Sequence, residues 1–349
     1  MQKQTRKKVF QYGLSIIVMV LILVGCFWPM SQYIESPGSA DNLKSFVSIK
    51  HHPDKRSGEF MITSVKLAQA RPITYLMAKV LPYNSIESNQ SITGGQNNTT
   101  YIKMQDFYMQ SAINEAKAVA VKAAHKPVIK KYLGIYVMEI QANSHFKHKL
   151  KVGDTITKVD GHHFQNAYGF QKYIARKKVG SALHVQYQRG KSVKTVKAPL
   201  IKLSNGRTGI GIGLTDNVKI KTTPKINVDP GQIGGPSGGL MFSLQIYSQL
   251  TGQNIRHGRK IAGTGTINPD GSVGEIGGID KKVVAAKKAG ATVFFAPYIK
   301  PTKTVLQLEE GHVTNYQLAK KTAKKVAPKM KVVPVTSFNQ ALHYLKTHQ

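Results

Sequence analysis

Acidic side chains are scarce in this 349-residue chain: 17 Asp and Glu stand against 50 Lys and Arg, a formal charge of +33 at pH 7. So basic a polypeptide is drawn to anionic surroundings, such as lipid head groups or an anionic cell wall. Nucleic acid is not expected, because the basic residues are dispersed and no RNP, zinc or helix-turn-helix signature accompanies them. A single cysteine, Cys26, excludes intramolecular disulfides and cysteine-based metal sites. The histidines show no HExxH spacing, and the adjacent pairs His51-His52 and His162-His163 cannot share one helical face, so no metal is expected. No GxxxxGK[ST] loop occurs, which argues against an ATPase module; no cofactor is expected.

What is present is enough apolar residue for packed cores, in a length that holds two domains and a tail. Lys3, Arg6, Lys7 and Lys8 make residues 1–8 a basic tail before an uncharged run over 9–34. That run is long enough to span a bilayer, and its basic flank predicts a cytoplasmic N-terminus with the rest of the chain outside a cell membrane crossed once. Trp28 and Tyr33 are expected at the outer interface. Two rivals export the chain equally: a cleaved signal peptide, and lipidation of Cys26 within Leu23-Val24-Gly25-Cys26.

After this anchor, residues 35–127 read as a segment of strands plus one helix. Ile34–Ala40 is a turn-rich exit, Phe46–Ile49 and Phe60–Leu67 alternate as strands, and 84–100 reads as a loop. Met109, Ile113, Ala116 and Ala120 recur at helical spacing within 104–124. Residues 128–202 form a second unit with strands at 136–140 and 155–159, a helix over 167–178 and a hairpin tipped by Arg189-Gly190-Lys191. Residues 203–349 close the chain as mixed strands and helices, so the fold class is α+β.

The functional centre lies in this last unit. Ser237 sits between Gly-Gly-Pro and Gly-Gly, directly before the apolar helical run Leu240, Met241, Leu244, Ile246, Tyr247, Leu250. A hydroxyl at a helix start faces free amides and the positive dipole end, and the backbone of Gly235, Pro236 and Gly238 is where an oxyanion would be stabilised. The flanking glycines leave the approach open. A glycine-flanked serine alone is more often a structural turn than a nucleophile. It needs a base, and Lys282 in GGIDKKVVAAKKAG begins a helix with Val283, Ala285 and Ala286. A lysine drawn among apolar side chains disfavours its charge; acting near neutral pH requires its pKa to fall by about 3, worth ~4 kcal/mol. Asp229 in Asp-Pro-Gly fits a turn better than a catalytic role.

GGPSGG, GTGTIN and GGIDKK in this order resemble the proteolytic domain of Lon-type serine peptidases, and within them the membrane-anchored, PDZ-containing, ATP-independent branch called YlbL-like. The resemblance implies Ser237 as nucleophile, Lys282 as general base, Thr264 as the residue orienting that lysine, and a solvated Lys281. It implies an ATP-independent endopeptidase acting on exported peptides or proteins; Lon-type rings admit a homo-oligomer. The LKVGDTITKVDG stretch is similar to a PDZ domain, implying that Leu133, Gly134 and Ile135 form the loop whose amides bind a peptide carboxylate. Two other functions stay open. One is an inactive PDZ adaptor at the surface. The other is an α/β-hydrolase, because Gly235–Gly239 also fits GxSxG, with His312 and His343 as nominal partners.

Overall fold

The computed structural model describes residues 2–348. Helix α1 (Gln2–Phe27) contains an apolar stretch, Phe10–Phe27, of mean hydropathy 2.3, long and apolar enough to cross a membrane. It ends earlier than the expected 34, because Pro29 offers no N–H to continue the helix. Tyr33 lies not at an interface but buried at the start of strand β1 (Tyr33–Asn42), its hydroxyl on the Asn98 carboxamide. The expected turn at 34–40 is thus a strand, Pro37 pairing with Val65, and Gly38 and Ser39 are absorbed by a bulge opposite Ser64.

Strands β2 (Val47–Ile49) and β3 (Glu59–Gln69) follow, then α2 (Pro72–Val80), β4 (Ser85–Glu87), α3 (Asn89–Thr93) and α4 (Asn98–Ala123). The polar stretch expected as a loop is therefore partly ordered. Ser88 and Asn97 accept hydrogen bonds from Ser91 and Thr100 amides and cap α3 and α4.

The middle of the chain is β5 (Val128–Ile140), β6 (Thr155–Val159), α5 (Ala167–Ala175), β7 (Ala182–Arg189), β8 (Ser192–Pro199), β9 (Ile201–Lys202), β10 (Thr208–Gly209) and β11 (Ile212–Thr222). Five of these strands form one sheet, ordered β11-β5-β6-β7-β8, around a core of Val137, Phe146, Ile156, Phe170, Leu183 and Val185. β11 was expected in the following unit, yet it pairs with β5 along its whole length. Leu133, Gly134 and Ile135 consequently lie inside β5 and not in a loop: Gly134 and Ile135 pair with Asn217 and Asp216 of β11, Ile135 also with Ile156 of β6, and Leu133 is the residue skipped by a bulge in the β11 register. A Cβ on Gly134 would meet the Ile156 carbonyl at 2.2 Å, so this glycine is explained by strand contact.

The rest is β12 (Ile226–Val228), α6 (Gly239–Thr251), β13 (Lys260–Gly263), β14 (Thr266–Ile267), β15 (Val273–Gly274), α7 (Ile279–Lys288), β16 (Val293–Pro297), α8 (Lys303–Leu308), α9 (Asn315–Val326), β17 (Lys331–Val335) and α10 (Phe338–Thr347). A six-stranded sheet runs β17-β16-β13-β3-β1-β4, parallel from β17 to β3 and antiparallel beyond. Half of its strands come from before residue 90, so the C-terminal unit does not begin at 203: residues 33–87 complete its sheet, and the five-stranded unit is inserted between. Strand alternation assigns the two faces. Phe60, Ile62, Ile261 and Phe295 point to α4, α6 and α10, while Met61, Ala262, Phe294 and Ala296 point to α7 and α9. An ion pair between the fully buried Arg256 and the partly buried Asp54, at 2.6 Å, ties the turn after α6 to the loop before β3.

Candidate active site

The serine turn is shaped by packing from three sides. Asp229 accepts the Gly231 amide at 3.0 Å and serves as a turn residue. Gly235, at φ +84°, donates its amide to the Gln105 carbonyl of α4 at 3.0 Å, and Pro236–Gly238 then form a 3₁₀ turn leading into α6. Cβ atoms on Gly238 and Gly239 would meet Ile62 at 2.3 Å and Ile267 at 2.6 Å. Both are therefore required for α6 to lie against the sheet, a reason distinct from the open approach expected of them. The Ser237 carbonyl accepts the Gly265 amide at 2.8 Å and the Thr264 hydroxyl at 3.1 Å, which fixes the turn to the end of β13.

Helix α7 delivers the amine. Its N-cap, Gly278, has φ +66°, and a Cβ there would press on Val65 at 2.8 Å and Glu35 at 3.0 Å. One turn on, the Lys282 ammonium donates to Ser237 Oγ at 2.8 Å and to Thr264 Oγ1 at 3.1 Å. Lys282 is buried while Ser237 is partly exposed, so the hydroxyl faces solvent and the amine does not. Burial lowers the Lys282 pKa to about 8, with Glu35 pulling weakly the other way. About a tenth of the amine is then neutral at pH 7. On losing its proton the amine accepts from the Ser237 hydroxyl, the reverse of the donation seen here.

Lys281 is not solvated. It is buried against Glu35 of β1 at 3.1 Å and Asp280 at 3.5 Å. Burial alone would lower its pKa, but the two carboxylates more than offset this and raise it. Glu35 was missed in the sequence because it belongs to the apparent exit turn after the anchor. Its only signal is an isolated acid in a basic chain.

The expected oxyanion donors divide. Pro236 has no N–H, and the Gly235 amide is already given to Gln105, so neither can serve. The amides of Ser237 and Gly238 in the 3₁₀ turn, which have no hydrogen-bond partner among the described residues, are the remaining candidates. For the hydrolase reading, no strand enters the serine turn: residues 229–235 lie outside any strand, and His312 and His343 are exposed. His312 Nδ1 instead meets the Leu306 carbonyl at 2.9 Å.

Two parts of the chain match known families. Residues 212–343 match the Lon protease (S16) C-terminal proteolytic domain, and residues 111–200 match the PDZ domain. The Lon protease of Heliobacterium modesticaldum is 36% identical over 88 residues, which are 25% of this chain and 11% of that protein. The Lon protease of Chloroflexus aggregans is 29% identical over 132 residues, 37% of this chain and 14% of that protein. The match thus spans roughly a tenth of the relatives' own length. Among solved structures, the PDZ domain of the SdrC-like protein from Listeria monocytogenes is 34% identical, covers 24% of this chain and 90% of that one, and has a TM-score of 0.23.

Proposed function

We propose that this chain, which carries a Lon-type proteolytic domain together with a PDZ domain, is an ATP-independent serine endopeptidase anchored by α1, its catalytic unit outside the membrane and its substrates exported peptides or proteins. The observation that carries the reading is the 2.8 Å contact between Lys282 Nζ and Ser237 Oγ, made where the amine is buried. Neutral Lys282 takes the Ser237 proton as Oγ attacks the scissile carbonyl, and the tetrahedral oxyanion develops beside the amides of Ser237 and Gly238. Collapse breaks the C–N bond, with the lysine returning the proton to the leaving amine. Water, deprotonated by the same lysine, then hydrolyses the acyl-enzyme and frees the serine. Thr264, bonded to both the lysine and the Ser237 carbonyl, holds the amine in line.

The basic N-terminal flank and the apolar α1 support the orientation. For the PDZ domain, a substrate strand added to the sheet would meet β11 or β8, the two edge strands. An adaptor without activity would need no buried amine against a hydroxyl. The test is full-length protein in detergent incubated with dye-labelled casein, beside Ser237→Ala and Lys282→Ala. Loss of cleavage in both supports the peptidase, and equal cleavage by all three removes it.

A further inference from the structure

Helix α2 carries its apolar stripe on the outside. Ile73, Leu76, Met77, Val80 and Leu81 follow the i, i+3, i+4, i+7, i+8 spacing that ordinarily marks a core-facing surface. All five are exposed, Leu76 at 63% and Val80 at 79%. The opposite side is the one that packs: Ala78 is buried with Met30, Ile34, Ala70 and Ile86. A continuous exposed apolar stripe marks a contact surface.

Its position says what covers it. Arg71, at the N-cap of α2, donates to the Cys26 carbonyl at 3.0 Å and sits over the Phe27 ring at 5.9 Å, so α2 is fastened to the end of α1, where the apolar stretch stops. Exposed Phe27 and Trp28 continue the apolar surface from one helix to the other. Arg71 and Lys79 flank the stripe in a chain of charge +33, which suits anionic head groups.

We propose that α2 is an interfacial helix, its stripe seated in the outer head-group and upper acyl region of the bilayer that α1 crosses, so that the catalytic unit is held against the membrane at two points. This rests on the reading of α1 as a membrane span. An amphipathic helix of this kind lies in the interface plane with its apolar face about 5–10 Å into the head-group boundary.

Trp28 is the sole tryptophan, which provides the test. Full-length protein is reconstituted in phosphatidylcholine and phosphatidylglycerol vesicles with and without acyl-brominated phospholipid. Three chains are compared: wild type, Trp28→Phe with Leu76→Trp, and Trp28→Phe with Val193→Trp at an exposed position of the β7–β8 hairpin. The expected result is bromolipid quenching of Leu76→Trp comparable to that of wild-type Trp28, with Val193→Trp unquenched. An unquenched Leu76→Trp with water-like emission overturns the proposal. So does a blue-shifted but unquenched emission that reverts on dilution, which would mean a second copy covers the stripe. Quenched Trp28 beside unquenched Leu76→Trp leaves the span standing and sinks only the seat. An unquenched Trp28 beside quenched Leu76→Trp sinks the span and keeps the seat. Loss of quenching at both removes both.

Discussion

Two neighbouring lysines on the first turn of α7 meet opposite surroundings. Lys281 turns to β1 and finds Glu35, with Asp280 beside it; Lys282 turns to the serine turn and finds two neutral hydroxyls. Both side chains are buried, so burial does not separate them. The difference is whether a carboxylate is supplied. Where it is, the ammonium is held and the residue is structural. Where it is not, the pKa falls to about 8, which suits the amine to the role of base proposed for it.

The largest effect expected from breaking this contrast is at Lys282 itself. Lys282→Ala should lower hydrolysis of labelled casein by at least ~10⁴-fold, as removal of one member of a catalytic unit does, whereas Lys281→Met should stay within about tenfold of wild type. Thr264→Val removes the hydroxyl that both holds the amine and clamps the Ser237 carbonyl. Loss of a hydrogen bond to a charged group is worth ~1.5–3 kcal/mol, so kcat should fall about 10- to 100-fold, with Thr264→Ser retaining most activity.

The pH profile sharpens the comparison. The base must be neutral, so the rate should rise as pH passes through about 8 and level off above it. Lys281→Met unmasks Glu35 and removes a neighbouring cation. Both changes favour the Lys282 ammonium, so the midpoint should move to higher pH, with Asp280 unchanged on the same turn. Glu35→Gln has the opposite sign: the anion that favours the ammonium is gone, and the midpoint should move to lower pH. Midpoints moving in the same direction in both variants would mean the pair acts on structure and not on the amine's charge. The smallest effect is on stability: Lys281→Met leaves a largely buried carboxylate without its partner and should cost ~1–3 kcal/mol by denaturant unfolding, partly recovered in the double variant with Glu35→Gln.

Local patterns reached far into this chain. The apolar α1, the strand at 155–159, the hairpin tip at Arg189-Gly190-Lys191 and the closing helices are set by hydrophobic run and period within a few residues, and so are readable without neighbours. Ser237 and Lys282 were nominated by glycine-bracketed motifs, because a helix start and a burial-prone lysine are local features, whereas Thr264 came only with the resemblance to Lon-type peptidases. Only the tertiary structure decided which strands share a sheet. A strand's partners depend on edges contributed from elsewhere, so β1 and β3 joined the C-terminal sheet across an inserted domain, and β11 joined β5 and closed the supposed carboxylate loop. The same holds for charge: two adjacent lysines look alike in the sequence. Whether each keeps its proton is determined by a carboxylate or a hydroxyl that the fold brings from far along the chain.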